Sequence, residues 1–259
     1  MIGVIPAAGL GTRLLPLTKC VPKPLLPVRG KPAVHWVLEE AASAGIRDVI
    51  VVINPGQPLL RNYLSPVAKD HPLFGHPGLE ELERLLGTVN ITFVEQPVPL
   101  GLGHAILRCS SLLGKEPFAV LLADNVLPEG CPLLGDLMAA HESHGKSCIP
   151  LRTVYRLEAG DYVFDAEKLP NGLYAVHDVV RSSTAGNGEP RFRGMGRSVL
   201  TAEVFDYLPK EFSQQRELTT LPYLLGLARA GRLLGIRVDP NVPLVHLGEC
   251  GAPEPEKEQ

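Results

Sequence analysis

Short runs of apolar residues, each followed by a segment with helical spacing, recur along the first 150 residues of the chain. Val49–Ile53 and Phe118–Ala123 are continuous apolar runs of strand length, which is typical of strands that a sheet buries on both faces. Helices are predicted at 32–44, 79–86, 103–113 and 133–144. Because this alternation favours parallel strands joined by crossover helices, we predict an α/β fold with a mainly parallel sheet.

After about residue 152 the alternation weakens. Helices are expected at 199–207 and 221–230, and strands at 162–164, 173–180, 234–238 and 242–245. The segment 183–194 is polar and rich in glycine and arginine, which is typical of a loop. We therefore divide the chain into a core at 1–152, a second half of the same domain at 153–251 and a flexible tail at 252–259.

Length and composition argue against several classes of protein. At 259 residues the chain can form one α/β domain, and a net charge of −3 gives no support for a nucleic-acid surface. No apolar run reaches the roughly twenty residues of a membrane span, and a first strand that starts at Ile2 leaves no room for a signal peptide. The 5 cysteines include no Cys-x-x-Cys pair, which is typical of reduced thiols. We expect a cytoplasmic protein with no nucleic-acid or membrane partner.

The segment after the first strand combines glycine with positive charge. Gly9 and Gly11 form a turn without Cβ atoms, and glycine tolerates a positive φ angle. The amide groups of such a turn form a concave nest that favours anions. Arg13, Lys19 and Lys23 supply matching charge. We interpret this segment as a polyphosphate site; the alternative is a tight turn without a ligand.

Two familiar phosphate-binding patterns do not describe this turn. The dinucleotide fingerprint needs a third glycine, and Arg13–Pro16 stands where that glycine and its helix would begin. A Walker loop would need Gly-Lys-Ser/Thr, which does not follow. Prolines at 16, 22, 24 and 27 instead favour an extended, stiff segment, because proline fixes φ and disfavours helix in the residue before it.

The stretch from Pro6 to Pro27 resembles the signature of the sugar-1-phosphate nucleotidyltransferases. That signature reads Gly-x-Gly-Thr-Arg-x-x-Pro-x-Thr-Lys-x-x-Pro-Lys-x-x-Leu-Pro. The residues that match its fixed positions are Gly9, Gly11, Thr12, Arg13, Pro16, Thr18, Lys19, Pro22, Lys23, Leu26 and Pro27. The Thr-Lys-x-x-Pro-Lys spacing is similar to that of bacterial UTP–glucose-1-phosphate uridylyltransferases. Pro24 departs from them, because Pro-Lys-Pro is more typical of the thymidylyl and guanylyl relatives.

This resemblance implies a fold, a reaction and a set of ligands. The fold would be a Rossmann-like three-layer sandwich with a mainly parallel mixed sheet, in which 1–152 binds the nucleotide and 153–251 the sugar phosphate. The reaction would be Mg²⁺-dependent nucleotidyl transfer from an NTP, UTP or else dTTP, to a sugar-1-phosphate, with glucose-1-phosphate as the first expectation. The residues carried over are Arg13 and Lys23 as catalytic groups, and Ala8, Gly9, Gly11 and Thr12 as nucleotide ligands. Whether the protein forms a homo-oligomer stays open.

A second glycine turn follows the strand predicted at 91–94 and leads into a helix. The resemblance implies that the amide of Gln96 pairs with the pyrimidine edge and that Gly101 lets backbone approach the base. Leu-Gly-His-Ala around His104 is similar to the uridylyltransferases, in which this histidine starts a helix without a chemical role. The alternative is a helix-entry turn with an exposed glutamine.

Carboxylates at two places are candidate magnesium ligands. Asp124 ends an apolar strand, and a carboxylate there points into the crevice where ligands of parallel sheets bind. Burying it unpaired is costly, so we expect a cation or a shell of hydrogen bonds. Mg²⁺ prefers oxygen ligands and shares them with substrate phosphates, and the family uses the matching aspartate; a helix cap or turn is the alternative. Glu249 stands where the family has a second metal aspartate, with an exposed surface carboxylate as its alternative.

The resemblance is weaker in the sugar-binding half. Arg181-Ser182-Ser183 stands where the family has Glu-Lys-Pro, so the acidic partner of the sugar hydroxyls is missing and Arg181 is left to bind phosphate. Tyr162 stands where a glycine leaves room for the sugar, whereas Arg197 of the family's Gly-Arg-Tyr is kept. We predict Arg181 and Arg197 as sugar-phosphate ligands. Two alternatives stay open: a different NTP and acceptor, or a non-catalytic nucleotide-binding regulator.

Overall fold

The computed structural model describes residues 1–183, 185–209 and 217–248. The strands are β1 (Ile2–Pro6), β2 (Pro27–Val28), β3 (Lys31–Pro32), β4 (Asp48–Ile53), β5 (Asn90–Glu95), β6 (Phe118–Leu121), β7 (Asn125–Val126), β8 (Ser147–Leu157), β9 (Tyr162–Lys168), β10 (Tyr174–Arg181), β11 (Gly186–Arg193), β12 (Arg197–Leu200), β13 (Leu233–Val238) and β14 (Val245–His246). The α-helices are α1 (Ala33–Ser43), α2 (Pro58–Tyr63), α3 (Glu80–Leu86), α4 (Leu102–Arg108), α5 (Ser110–Leu113), α6 (Leu133–His144) and α7 (Leu221–Arg229).

One sheet runs through the whole described fold, with the strand order β11-β9-β10-β13-β8-β12-β6-β1-β4-β5. β6, β1, β4 and β5 are parallel neighbours, and β13 is parallel to β8. The other pairs in this sheet are antiparallel, and β12 runs between β6 and β8. The α/β fold with a mixed sheet is confirmed. Parallel pairing is concentrated in the first half, because hairpins with short turns such as that between β9 and β10 can join only antiparallel strands.

Helices cover the sheet on both faces and give the three layers. Side chains of α1, α2, α3 and α6 pack in one apolar cluster, while α4, α5 and α7 pack in another on the opposite face. Val51 belongs to the first cluster and its neighbour Val52 to the second, because successive strand side chains point to opposite faces. This explains why the apolar run of β4 is continuous.

The structure differs from the sequence prediction at several segments. The loop predicted at 183–194 is wrong for residues 186–193, which form β11 by pairing with β8; Thr184 lies outside the described part. The helix predicted at 199–207 is replaced by the end of β12 and a 3-10 helix at Ala202–Asp206. Residues 57–78, expected to be irregular because they are rich in proline, glycine and histidine, contain α2. Of the strand expected at 242–245, only Val245 belongs to a strand, β14. Pairing with distant strands overrides local composition at β11 and β12.

Among the described residues, no helix is both long enough and apolar enough to cross a bilayer.

Two helical glycines make a matched test of the packing. A Cβ added at Gly226 of α7 would overlap the ring of Tyr207, whereas one added at Gly135 of α6 would meet nothing within 4 Å. Gly226→Ala should therefore lower the free energy of unfolding by about 1–3 kcal/mol through overpacking. Gly135→Ala should raise it by up to about 1 kcal/mol, because alanine favours helix. Urea denaturation measures both, and equal effects of the two changes would contradict the packing described here.

Candidate active site

A cavity of about 530 Å³ opens at the carboxyl ends of β1 and β6. It collects predicted site residues from three distant segments of the chain, since parallel strands deliver the loops that follow them to one edge of the sheet. The predicted residues in its lining are Ala8, Gly9, Gly11, Thr12, Arg13, Lys23, Gln96, Gly101 and Asp124.

Contacts within the first glycine loop hold it against the segment that follows. Gly11 has a φ angle of 65°, and a Cβ built there would lie 2.8 Å from Thr18 Cγ2 and 3.3 Å from Lys23 Cβ. Thr18 is buried, and its hydroxyl donates to Gly11 O at 2.8 Å. Only glycine combines this backbone conformation with such a close approach. The loop is therefore shaped before any ligand binds.

The proline-rich segment is more tightly turned than the extended chain predicted from the sequence. It forms 3-10 helices at Thr12–Leu14, Leu17–Lys19 and Lys23–Leu25. Pro16 and Pro22 precede two of them, and Pro24 lies in the first turn of the third. Proline is tolerated at these positions because a helix start leaves its N–H groups unpaired. Lys23 thereby enters the lining of the cavity, whereas Lys19 is exposed outside it.

Lys23 and Asp124 form an ion pair within the lining of the cavity. Lys23 Nζ lies 2.5 Å from Asp124 Oδ2, and Asn125 Nδ2 donates to Asp124 Oδ1 at 2.7 Å. His246 Nε2 lies 3.9 Å from the same Oδ2, and Leu247 N donates to Asp124 O at 2.9 Å. Lys23 and Asn125 supply the cation and the hydrogen bond expected for a carboxylate at this position, while the Leu247 bond holds the backbone of Asp124.

The neighbours of Asp124 keep its carboxyl group ionised. Burial is the largest influence and by itself raises the pKa of Asp124. The charge of Lys23 and its hydrogen bond, helped by His246 and Asn125, outweigh burial and lower the pKa below its ordinary value. Asp124 is therefore a carboxylate at neutral pH, as a ligand of a divalent metal must be.

Gln96 is buried just beyond β5, and its amide nitrogen is bound by the protein. Nε2 donates to Gly101 O at 3.1 Å and lies 2.8 Å from His104 Nδ1. Burial, followed by the charge of Arg108, lowers the pKa of His104, so its neutral ring accepts the amide hydrogen. His104 orients Gln96, and the alternative of an exposed glutamine is wrong because Gln96 is 3% exposed.

One acidic residue of the lining, Glu217, was missed by the sequence analysis. The 217–219 segment packs along the second glycine turn, with Gly103 N donating to Leu218 O at 2.8 Å. A Cβ on Gly101, whose φ angle is 96°, would lie 2.5 Å from Glu217 Cγ and 2.6 Å from Leu218 O. Protein backbone therefore approaches this glycine. No local pattern marks Glu217, because its place results from contact between distant segments.

Two predicted residues lie outside the lining of the cavity, and a third lies outside the described residues. Arg181 is exposed at the end of β10, where its Nη2 would lie 3.4 Å from a Cβ built on Gly160. Arg197 is buried with 0% of its side chain exposed and pairs with Glu40. Neither arginine lines the cavity, so their predicted role as sugar-phosphate ligands has no geometric support. Glu249 and the tail at 252–259 lie outside the described residues.

A second group of potential metal ligands lies at α1, away from this cavity. Single ligand atoms of His35, Glu39 and Glu81 lie within 4.8 Å of one another. Lys31 Nζ lies among them, 3.0 Å from Glu39 Oε1 and 2.6 Å from Glu81 Oε1. Because an ammonium group already neutralises these carboxylates, we interpret the cluster as an ion-pair network.

Comparison with known proteins assigns this architecture to a family. Residues 2–166, more than half of the chain, match the family model described as nucleotidyl transferase. The match includes the first glycine loop, Gln96 and Asp124. The chain belongs to the nucleotidyl transferase family. The family predicted from the Pro6–Pro27 signature is therefore confirmed.

Two curated relatives are similar to most of the chain. UTP–glucose-1-phosphate uridylyltransferase 1 of Staphylococcus saprophyticus is 35% identical over 213 residues, which are 80% of this chain and 74% of that protein. UTP–glucose-1-phosphate uridylyltransferase YngB of Bacillus subtilis is 33% identical over 210 residues, covering 79% and 71% of the two chains.

Solved structures show the same fold. A UDP-glucose pyrophosphorylase complexed with UDP-glucose has a TM-score of 0.82 at 26% identity, over 95% of this chain and 93% of that one. A UTP-bound UGPase from Acinetobacter baumannii has a TM-score of 0.78 at 28% identity, over 96% and 90%.

Removal of Lys23 tests the electrostatic balance at Asp124. Lys23→Met should raise the pKa of Asp124, because burial remains while the compensating charge is lost. Lys19→Met is the matched control, since Lys19 is exposed and outside the lining. NMR titration of ¹³C-labelled aspartate carboxyls, assigned with Asp124→Asn, measures the shift. An unchanged Asp124 titration in Lys23→Met would contradict the balance described here.

Proposed function

We propose that the protein is a Mg²⁺-dependent nucleotidyltransferase that transfers the uridylyl group of UTP to glucose-1-phosphate and releases pyrophosphate. The observation that carries the proposal is the meeting of the glycine loop, Lys23 and Asp124 in one cavity. Backbone amides, a cation and a carboxylate are the groups that a metal-bound triphosphate needs. Relatives that are named for UTP, glucose-1-phosphate and UDP-glucose support this choice of substrates.

The proposed reaction is a single in-line displacement. A phosphate oxygen of the acceptor attacks the α-phosphorus of the nucleotide and forms a new P–O bond. The bond from the α-phosphorus to the bridging oxygen breaks, and pyrophosphate leaves with that electron pair. Phosphate oxygens are ionised at neutral pH, so no general base is needed, and the engagement of His104 with Gln96 agrees with this. Catalysis then depends on positioning and on neutralisation of charge.

Lys23 is assigned to the reacting phosphates. An ammonium group has three N–H donors, and one of them meets Asp124 at 2.5 Å. Its others can donate to the α-phosphate and the acceptor phosphate. Arg13 is exposed within the lining, and its planar guanidinium suits the departing β- and γ-phosphates. The amides of 8–12 complete the phosphate cradle.

Gln96 is assigned to the base. Its amide nitrogen is bound by Gly101 and His104, so the amide oxygen is the atom that meets the ring N–H of a pyrimidine. Uracil and thymine share this N–H. The contact therefore fits UTP and also the alternative donor dTTP, which a donor screen separates.

Asp124 fits a magnesium ligand. Its pKa is lowered, and its two oxygens offer about four acceptor sites, of which Lys23 and Asn125 take one each. Mg²⁺ commonly binds one or two carboxylates together with substrate phosphates. When bound, it supplies Lewis-acid polarisation and neutralises phosphate charge. We propose Glu249 as the second carboxylate, because a Cβ built on the preceding residue, Gly248, would lie 3.4 Å from Lys23 Nζ.

The assignment of Lys23 is tested by kinetics. Lys23→Ala should lower kcat for pyrophosphate release from UTP and glucose-1-phosphate by on the order of 10²–10³, comparable to the loss of one preorganised donor. Lys19→Ala should keep wild-type kcat, because Lys19 lies outside the cavity lining. Turnover of Lys23→Ala close to wild type would refute the assignment.

A wider screen addresses the departures at Tyr162 and Arg181 in the sugar half. Wild-type protein is incubated with Mg²⁺, each NTP and a panel of sugar-1-phosphates, and pyrophosphate is followed. We expect the highest kcat/KM with UTP and glucose-1-phosphate. If only a different NTP and sugar-1-phosphate are turned over, the assignment of the site stands and its proposed substrates change. Nucleotide binding without pyrophosphate release from any pair would favour a non-catalytic regulator.

A further inference from the structure

Arg197 binds the backbone on both sides of Asp124. Its Nη1 donates to Leu122 O at 3.2 Å and to Gly196 O at 2.9 Å, and its Nη2 donates to Asn125 O at 2.8 Å. Leu122 precedes Asp124 by two residues and Asn125 follows it directly. A single planar guanidinium therefore spans the turn that carries the candidate metal ligand.

Glu40 on α1 holds this guanidinium in place. Arg197 Nε donates to Glu40 Oε1 at 2.8 Å and Nη2 to Oε2 at 2.7 Å, with 0% and 12% of the two side chains exposed. Removing one partner of a buried pair leaves an uncompensated charge, so the position of Arg197 depends on Glu40. α1 itself follows the Lys23 segment, with Ala33 N donating to Leu26 O at 3.0 Å. The Glu40–Arg197 pair thus links the helix that follows the Lys23 segment to the turn that carries Asp124.

The residue before Arg197 also contacts the turn. Gly196 has a φ angle of 70°, and a Cβ built there would lie 2.8 Å from Asn125 Cγ. Its carbonyl accepts from Leu122 N at 2.9 Å. Asn125 in turn donates to Asp124 Oδ1 at 2.7 Å. A shift of the 196–197 segment would therefore reach the carboxylate through both backbone and side chain.

We infer that Glu40 and Arg197 are positioning residues that fix Asp124 for a divalent metal bound together with the nucleotide. The inference rests on the proposed function. Neither side chain lines the cavity, so the pair acts through the turn. Mg²⁺ demands nearly ideal octahedral geometry, and residues that orient a metal ligand typically change metal affinity 10- to 100-fold when they are substituted.

A second forked ion pair of the fold, 36% and 37% exposed, provides a control of the same geometry. Arg232 Nε and Nη2 donate to Glu203 at 2.7–3.1 Å, and Arg232 Nη2 also donates to Gly145 O at 2.8 Å. Glu203→Gln therefore breaks a forked Arg–Glu pair away from the cavity, as Glu40→Gln does beside Asp124. Both changes keep the side-chain shape and remove one charge.

Calorimetry measures the contribution of the metal to nucleotide binding. UTP is titrated with and without Mn²⁺ into wild type, Glu40→Gln, Glu203→Gln and Asp124→Asn. We expect Glu40→Gln to reduce the gain in UTP affinity on adding Mn²⁺ by on the order of 10-fold, with little change in the affinity for UTP alone. Glu203→Gln should keep the wild-type gain. In kinetics, Glu40→Gln should raise the Mg²⁺ concentration for half activation and recover kcat at high Mg²⁺.

Each outcome separates the two proposals. Wild-type protein that gains no UTP affinity from Mn²⁺ contradicts the proposed function itself. If Asp124→Asn abolishes the gain in UTP affinity on adding Mn²⁺ but Glu40→Gln leaves that gain intact, only the positioning inference is overturned. If Glu40→Gln does not fold, Glu40→Asp is measured instead. Loss of folding in both variants would show that the pair maintains the whole fold and would overturn a role directed at Asp124.

Discussion

The ion pair between Lys23 and Asp124 joins two segments that lie 101 residues apart, and the other features of the site are arranged around it. β1 and β6 are parallel neighbours, so the loop after one and the aspartate after the other meet at the same edge of the sheet. A buried carboxylate is costly without a counter-charge, and so is an ammonium group. Pairing them makes both charges available in the cavity before a ligand arrives, which is the condition for preorganised electrostatic catalysis.

Close backbone approach shapes the cavity on either side of this pair. Gly11 lets the first glycine loop pack against Thr18 and the stem of Lys23. Gly101 lets the 217–219 segment pack against the turn that holds Gln96. A Cβ at either position would overlap neighbouring protein atoms, so the fold requires glycine at both positions even without a ligand. The cavity is therefore shaped by contacts that the fold itself makes.

Local sequence patterns were sufficient to predict most of the first half of the fold. β4 and α6 were predictable because an apolar run or a helical repeat reflects burial by near neighbours. β11 contains glycine and proline, so its sequence resembles a loop, and pairing with β8 and β9 makes it a strand. Glu217 escaped prediction for the same reason. The residues of the Pro6–Pro27 signature could be recognised because they are contiguous in sequence, whereas the second half of the domain is assembled from distant strands.

Arg197 shows why an arginine near a site is not by itself a ligand. A guanidinium has five N–H donors, and the fold supplies acceptors to all three nitrogens of Arg197, from Glu40 and from backbone carbonyls of the 122–125 turn and Gly196. Glu40 on α1 neutralises the charge of this guanidinium. The turn it holds then presents Asp124 to Lys23. Charges alternate from Glu40 through Arg197 and Asp124 to Lys23, and the next negative charge in this series would be a phosphate in the cavity.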